Sequence, residues 1–378
     1  MDLFRFLTTN TDGYISQGEI INGYQTLEWT ERFRDPGEFK LKAPVSSGLR
    51  EKLPPGTLVS HVDTQELMYV SSNEIDTDVT EEEPPLMITG KSVESLMRHR
   101  IVGNDIETYV FAGHRLLLNM DDYLLAFDSS WNQVRDLINA HVNAPVQGND
   151  DEIPGFIAVS NQQHIGPNTV QTRSVRPQNL HSAVLELLAV DDFGIKSMRP
   201  NPTNADPTTV EFRIHNGTDL TDSVRFSHAL GDLDRARYLW TEEGSKTDYY
   251  CISTYYRLRS NNAATIGLDR KIMIVDCTDL DSHLSDEESV DPVLTEGLGD
   301  LMDIRGQQAI RSQVPTTIVS TDISKTTKYK FREDYDVGDI VYVAGEYGII
   351  APMRVMEHVE FEDEEGEHGY PTLAAVNE

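Results

Sequence analysis

The stretch that decides the fold reads YQTLEWTERFRDPGEFKLKAP over residues 24–44 and continues as LPPGTLVSHV over residues 53–62. Its apolar residues mostly share one parity and its polar residues take the other, which is typical of a half-buried strand. The apolar set before the first proline is Leu27, Trp29 and Phe33. Asp35-Pro36-Gly37 then breaks the strand, because proline presets one turn residue and glycine accepts positive φ at the next. We therefore predict a β-hairpin with Gly37 at positive φ.

Length and composition indicate a folded chain of several units. At 378 residues the chain is too long for one ordinary domain, and two to four units are expected. Hydrophobic residues make up 38% of it, far more than in a disordered chain. There is no run of eighteen apolar residues and no secretory signal pattern near Met1, so we expect neither a membrane span nor secretion.

The only two cysteines, Cys251 and Cys277, lie within predicted strands. Neither belongs to a CxxC motif or has a histidine-rich neighbourhood. We therefore predict two buried free thiols rather than a disulfide framework. Free thiols favour a protein that is made and assembled in a reducing cytoplasm.

The chain is strongly acidic, with a formal net charge of −31. Its acidic residues are densest in three runs, at 81–83, 276–291 and 357–367. Such a surface repels phosphate groups, so ordinary DNA binding and adhesion to anionic lipid are not expected. Two interpretations stay open: a solvated surface that keeps the protein soluble, or a wall that DNA passes without sticking.

Strand and helix patterns predict an α+β chain that is mainly β. Residues 1–100 form a first β domain, a small barrel or sandwich with one short helix, and residues 101–205 form a mixed α/β insertion domain. Residues 206–290 form a β-rich region that contributes to the second half. Residues 291–378 form a helix followed by a C-terminal β domain.

Four segments carry a helical pattern. The first follows Ser92, a plausible N-cap, and the second is capped by Ser129 or Ser130. The third begins at about Pro177, a good first-turn residue, and the longest spans residues 291–313.

The C-terminal domain carries a second hairpin signal, YDVGDIVYVAGEYGI over residues 335–349. Gly338 and Gly345 punctuate two runs of alternating β-formers. We expect Gly338 and Asp339 to set this hairpin.

No motif in the sequence predicts catalysis. The acidic run Asp276-x-x-Asp279-x-Asp281 suggests calcium, but it lacks the glycine that an EF-hand loop requires, so a solvated loop is favoured. The eleven histidines form no zinc motif, and neither GxSxG nor a P-loop occurs. A pair of glycosidase carboxylates stays open, because any of the 63 acidic residues could serve. We predict no catalytic, cofactor-binding or metal-binding residue, and no cofactor.

The aromatic doublets Tyr249-Tyr250 and Tyr255-Tyr256 allow two interpretations. They could form a platform for sugars. Tyrosines in such patterns are more often half-buried strand residues or anchors of a subunit interface, which is the interpretation we favour.

Five segments in the right order resemble a family of minor tail proteins from long, non-contractile-tailed phages of actinobacteria. They are WTERFRDPGEFKLKAP, LMITGKSVESLMRHR, DSVRFSHALGDLDRARYLW, AATIGLDRKIMIVD and the C-terminal YDVGDIVYVAGEYGIIAPMRVMEHVEFEDEEGEHGYPTL. The resemblance covers nearly the whole chain. Members of that family are similar to the tail hub, the trimeric ring at the distal end of the tail tube.

The resemblance implies a fold with two tail-tube-like β domains, of barrel or sandwich type, and α/β insertions. Three chains would present six similar domains to a six-fold tube or distal tail ring, in a closed cyclic assembly. The implied partners are two further copies of the chain, a distal tail protein or tube ring, the tape measure protein and downstream tip or receptor-binding proteins. DNA would pass through an acidic lumen without specific binding.

We therefore predict a non-enzymatic structural protein at the distal tip of a virion tail, assembled in the host cytoplasm. It would adapt the six-fold symmetry of the tube to three-fold symmetry, close the tube, and open a channel for the tape measure and the genome. Two alternatives stay open: a receptor-binding module for host surface polysaccharide, and a tail-associated cell-wall hydrolase.

Overall fold

The structure is a computed structural model of the chain. The residues it describes are 3–8, 15–77, 83–102, 104–105, 108–111, 114–117, 120–121, 123–143, 156–160, 171–175, 177–199, 210–227, 229, 231–242, 244–253, 256–260, 266–278, 299, 302–303, 305–307, 309–310, 316–323, 328–344, 350–363 and 366–376.

The chain divides into two compact units, which we treat separately. The main unit comprises Met1–Gly103, Tyr123–Tyr238 and Ile318–Val376. The small unit comprises Asn104–Asp122, Leu239–Thr317 and Asn377–Glu378.

The first β region of the main unit consists of antiparallel strands with one short helix. Its strands are β1 (Leu3–Thr8), β2 (Ile15–Ile21), β3 (Thr26–Arg32), β4 (Glu38–Pro44), β5 (Leu58–His61), β6 (Met68–Ile75) and β7 (Pro85–Ser92). Helix α1 (Leu49–Lys52) lies between β4 and β5, and a 3₁₀ helix, Val93–His99, follows β7.

The middle of the chain adds helices and short strands. The strands are β8 (Ile101–Val102), β9 (Asn104–Asp105), β10 (Thr108–Phe111), β11 (His114–Leu117), β12 (Met120–Asp121), β13 (Tyr123–Asp128), β14 (Phe156–Ser160), β15 (Gln171–Val175), β16 (Gln178–Asn179), β17 (Gly194–Met198) and β18 (Val210–His215). The helices are α2 (Ser130–Ile138), continued by a π turn, and α3 (Leu180–Val190).

The rest of the chain is again mainly β. Its strands are β19 (Arg225–Ser227), β20 (Leu233–Thr241), β21 (Asp248–Ile252), β22 (Arg257–Arg259), β23 (Ile272–Asp276), β24 (Thr316–Ile323), β25 (Ile340–Ala344), β26 (Ile350–Asp363) and β27 (Gly366–Ala375). The expected class, α+β and mainly β, is confirmed.

One large sheet joins strands from both ends of the sequence. Its order is β2-β1-β5-β6-β7-β4-β3-β26-β27-β24-β20, and β25 pairs with both β19 and β26. The described strands leave this sheet open, with β2 and β20 at its ends, so among them no barrel closes. Separate cores form on the first β region, on the C-terminal strands, and between α2, α3 and the β14-β18-β17 sheet.

The helix predictions were largely correct. Ser129 is the N-cap of α2, and its side chain accepts a hydrogen bond from the Asn132 N–H at 3.3 Å. Ser92 precedes a helix as expected, but that helix is 3₁₀ and the serine side chain does not cap it. The third helix begins at Leu180, after an Asn179 cap, rather than at Pro177, because residues 178 and 179 pair with β8 as a short strand. The described residues within 299–310 are helical, and the remainder of the fourth predicted helix lies outside the described residues.

In the small unit, β21 pairs antiparallel with β22 and parallel with β23. One face of this three-stranded sheet carries a core that includes Cys251, Cys277 and Met302. Within the described part of the chain, no helix is long and apolar enough to cross a membrane.

Candidate functional site: the seam of the main unit

Strand β26 joins the first β region to the C-terminal strands β25, β26 and β27, which we call the second β region of the main unit. Its residues 350–354 pair with β25 and its residues 357–362 pair with β3. Both partners lie along the same edge, because β27 pairs along the other edge. The register with β27 shifts between Val355 and Glu357, where β26 changes partner. We call this point the seam.

Two loops satisfy the backbone groups at the seam. The Phe33 N–H, just after β3, donates to the Met356 carbonyl at 2.9 Å. From the turn before β25, the Gly338 N–H donates to the Val355 carbonyl at 2.8 Å, and the Val355 N–H donates to the Asp339 carbonyl at 2.9 Å. A bulge that leaves buried backbone groups unpaired would be costly, so these bonds stabilise the change of partner.

Phe33 links the first β region to the C-terminal core. Its ring is fully buried among the C-terminal strands, although the residue follows β3 directly. The His215 ring meets it edge-on, with 5.4 Å between centroids. A side chain at Gly194 would collide with the Phe33 carbonyl and ring, and one at Gly338 would lie 2.8 Å from the ring. Two glycines therefore make room for this side chain.

Arg354, on β26, packs over the Phe33 ring at the seam. Its guanidinium lies 4.7 Å from the centroid of the Phe33 ring, a cation–π contact. It also donates to the Asn216 and Gly338 carbonyls, both at 2.6 Å, and to Asp192 at 2.7 Å. A single buried side chain thus connects four segments that are distant in sequence.

The first hairpin forms as predicted, but the reason given for Gly37 was wrong. Strands β3 and β4 pair antiparallel, with Thr30 opposite Glu38, and Asp35, Pro36 and Gly37 lie in the connection. Gly37 is not among the glycines with positive φ. Its Cβ would instead meet the Thr30 carbonyl and lie 2.9 Å from Glu66 Oε1. Close approach of neighbouring atoms, not backbone conformation, requires glycine here.

Gly338 and Asp339 form the turn that leads into β25. Gly338 has φ +98°, a conformation that favours glycine. The Asp339 carboxylate accepts the Thr218 N–H and the Asp336 N–H, both at 2.7 Å. Burial raises the pKa of Asp339, and the two hydrogen bonds lower it by a smaller amount. The loop between β25 and β26, with Gly345, lies outside the described residues.

A cluster of charged side chains, four buried and two partly buried, lies beside the seam; we call it the charge cluster. Its members are Glu31, Glu66, Glu94, Lys196, Arg332 and Glu360. Arg332 donates to Glu31 at 2.7 Å and to Glu360 at 2.6 Å, so it bridges the neighbouring strands β3 and β26. Lys196, from β17, lies 3.6 Å from Glu31 and 2.9 Å from Asp336.

The two carboxylates bound to Arg332 have opposite pKa shifts. Burial raises the pKa of Glu31, but the Arg332 and Lys196 cations outweigh it and hold that pKa at about 2. Burial raises the pKa of Glu360 to about 7, because Arg332 only partly offsets burial and the Glu31 charge adds to it. Arg332 itself has φ +63°, an unusual conformation that its two ion pairs help to hold.

Glu66 and Glu94 complete the charge cluster as buried acids. Burial raises the pKa of Glu66 well above its usual value, and the carboxylates of Glu31 and Glu94 raise it further. Burial also raises the pKa of Glu94, although Ser197 donates a hydrogen bond to it. These side chains are almost inaccessible to solvent, so the arrangement suits a structural role rather than contact with a substrate.

The charge cluster as a whole could not be predicted from the sequence. In the alternation of β3, Glu31 shares the parity of Leu27, Trp29 and Phe33, so the pattern itself places this carboxylate on the buried face, where the structure has it. Lys196 and Arg332 are far apart in sequence from Glu31 and from each other. The segments FRDPG and YDVGD also carried a signal, since Phe33 and Gly338 lie at the seam and Gly37 approaches Glu66 of the charge cluster.

The remaining sequence predictions fall mainly in the small unit. Cys251 and Cys277 are buried and free, as predicted. Tyr249 is buried in β21 with its hydroxyl on Asp303, and Tyr250 and Tyr256 are half-buried. This fits strand residues better than an exposed sugar platform; Tyr255 lies outside the described residues.

Asp276 ends β23, and its side chain accepts the Thr278 N–H at 3.0 Å. The rest of the acidic run, from residue 279 on, lies outside the described residues. Among the residues that are described, no three His, Cys, Asp or Glu side chains come together as a metal site.

The fold resembles that of phage tail proteins. A 43 kDa tail protein of prophage MuSo2 from Shewanella oneidensis has 12% identity and a TM-score of 0.52, with 98% of this chain and 97% of that chain covered. A tail protein from Neisseria meningitidis MC58 has 11% identity and a TM-score of 0.56, with 99% and 96% covered. No curated protein matches the chain in sequence.

The sequence also matches a family of phage proteins. The siphovirus ReqiPepy6 Gp37-like protein family matches residues 10–369, and the chain belongs to this family. The chain is therefore a member of a siphovirus protein family, and its fold resembles the folds of solved tail proteins.

Proposed function

We propose that this chain is a tail hub: a structural protein that forms a trimeric ring at the distal end of the tail tube. In this proposal the two β regions of each chain are tail-tube-like domains, and three chains present six of them to a six-fold ring. The ring closes the tube and opens a channel for the tape measure protein and DNA during infection.

The observation that carries the proposal is the shared strand β26. Two β regions that must keep a fixed spacing around a ring need a rigid connection. A continuous strand that pairs with β25 along one part and with β3 along the next supplies it, and Phe33 and Arg354 reinforce it. A flexible linker between the two regions would leave their spacing undefined.

The charge supports passage of DNA rather than binding. Each chain carries a formal charge of −31, and a ring of three would multiply it. Where such charge lines a channel, phosphates are repelled and DNA slides without specific contacts.

We further propose that the hub acts without catalysis and is assembled in the host cytoplasm with a distal tail protein or tube ring, the tape measure protein and downstream tip proteins. The carboxylates of the charge cluster are engaged in ion pairs or have a pKa that burial raises, which favours a structural role for them.

Immunogold electron microscopy of intact virions tests the position. Label confined to the distal tail tip, together with tails that lack the tip when the chain is withheld, is the expected result. Antibody pre-absorbed with purified chain is the control. Label along peripheral fibres, with complete tails formed in the absence of the chain, would contradict the hub and favour receptor binding.

A further inference from the structure

The small unit exposes an unusual number of large apolar side chains over a short stretch. Ile266 and Leu268 are 74% and 98% exposed, and they directly precede β23. Within β23, Ile272 is 43% and Ile274 is 70% exposed. Exposed apolar residues scattered singly need no explanation, but four within nine residues indicate a surface that is covered in the assembled protein.

Strand register places the two β23 isoleucines on one face of the sheet. Burial alternates along β23, with Ile272, Ile274 and Asp276 outward and Val275 in the core. Tyr250 of β21 lies opposite Ile274, and Arg259 of β22 lies opposite Tyr250. The outward face therefore has an apolar centre, with arginine on the β22 side and the exposed Asp276, opposite Ile252, at the end of β23.

The exposed arginines continue along β22. Arg257 lies opposite Ile252, in the row next to that of Arg259, and both arginines are exposed. We call this surface the basic apolar face; its exposed and half-buried residues are two arginines, one acid and four others, namely Arg257, Arg259, Asp276, Tyr250, Ile252, Ile272 and Ile274. Among the described strands, β23 is at the edge of this sheet.

The segment that builds this face differs in charge from the rest of the chain. Residues 244–278 contain five basic and three acidic side chains: Lys246, Arg257, Arg259, Arg270 and Lys271 against Asp248, Asp269 and Asp276. The whole chain carries −31, with 63 acidic against 32 basic residues. A surface with exposed arginines is complementary to an acidic protein surface, and the remainder of this chain provides one.

The geometry points to the basic apolar face as a contact between copies of this chain, in which it packs on an acidic surface of the neighbouring copy. Because two different surfaces meet, the contact is heterologous. Repeated contacts of this kind close into a ring when the rotation permits. The inference rests on the proposed hub and adds to it the surface that joins one copy to the next.

Sedimentation velocity of the purified full-length chain tests the face. We expect the wild-type chain to associate, and Ile274→Glu to raise the dissociation constant about tenfold or more, since it places a charge at the centre of the contact. Ile101→Glu is the matched control, because Ile101 is the same residue type, is 64% exposed and lies in the main unit. It should leave association unchanged.

A second variant tests the charge independently of the apolar centre. Arg259→Glu reverses an exposed charge, so it should weaken association, and this weakening should shrink as the salt concentration rises. Circular dichroism melting confirms that each variant is folded.

The outcomes separate the face from the proposed function. Association that survives both Ile274→Glu and Arg259→Glu overturns the face and leaves the ring intact. Equal losses for Ile274→Glu and Ile101→Glu also overturn it. A wild-type chain that stays monomeric, while Ile274→Glu reduces its incorporation into tails, overturns the second-copy assignment in favour of a different tail protein.

Discussion

The seam of the main unit and the three-stranded sheet of the small unit differ in the side chains that they bury and expose. At the seam, charged residues such as Glu31 and Lys196 are buried and each has a partner from a distant segment. In the small sheet, Ile272 and Ile274 face outward. A buried charge destabilises the fold unless the same chain supplies an ion-pair partner. An exposed apolar face instead favours contact with another protein chain.

Removing the Phe33 ring should have the largest effect. Phe33→Ala leaves a cavity at the seam and removes the ring under Arg354, so we expect about 3–5 kcal/mol of destabilisation in urea unfolding. Phe361→Ala, at a half-buried phenylalanine of β26, is the matched control. A similar loss for both variants would mean that the seam has no special role.

Removing the bridging cation, Arg332, should cause the second-largest loss of stability. Arg332→Met leaves Glu31 buried with Lys196 as its remaining cation, and we expect destabilisation by about 3 kcal/mol. Lys330→Met removes an exposed cation from the same loop and controls for net charge. If the two variants melt at the same temperature, the charge cluster does not hold the strands together.

Gly37→Ala should cost about 2 kcal/mol, because the added methyl group is forced against the Thr30 carbonyl and Glu66. Gly299→Ala is the comparison, since its Cβ would meet no atom within 4 Å and a helical position favours alanine. Thermal melting of both variants distinguishes close approach from a general cost of replacing glycine.

The charge cluster also predicts a pH dependence. The folded pKa of Glu360, about 7, lies above its ordinary value, so the folded state binds the proton more tightly than the unfolded state. This contribution to stability is present below about pH 4.5 and is lost as the pH rises to about 7, by at most about 1.4 kcal/mol per pH unit.

Glu360→Gln should therefore reduce the fall in melting temperature between pH 5 and pH 7. Glu367→Gln removes one exposed acid from the same hairpin and controls for the change in net charge. An unchanged slope in Glu360→Gln would assign the fall in stability to other groups.

The smallest effect on stability is expected in the three-stranded sheet of the small unit. Ile274→Glu replaces a side chain that faces solvent, so the unfolding free energy of the separated chain should change by less than about 0.5 kcal/mol. A large loss, measured at a concentration where the chain is monomeric, would show that Ile274 packs within its own chain.

Local features of the fold could be predicted from the sequence, and long-range ones could not. The β3–β4 hairpin followed from alternation and the Asp-Pro-Gly break, and α2 from its serine cap and apolar spacing. The pairing of β3 with β26 joins residues more than 300 positions apart, and no local pattern encodes it. Gly37 shows the limit at a single residue, since its packing depends on Glu66, which belongs to another segment.

The continuity of β26 restricts how the main unit can move. Its fourteen residues extend over about 46 Å and carry both β regions along one edge. Sliding either region by one residue would exchange inward and outward side chains along the strand, which makes independent motion costly. The two regions are therefore expected to turn together as one lever, and in the proposed ring an aperture would widen by hinging where neighbouring chains meet.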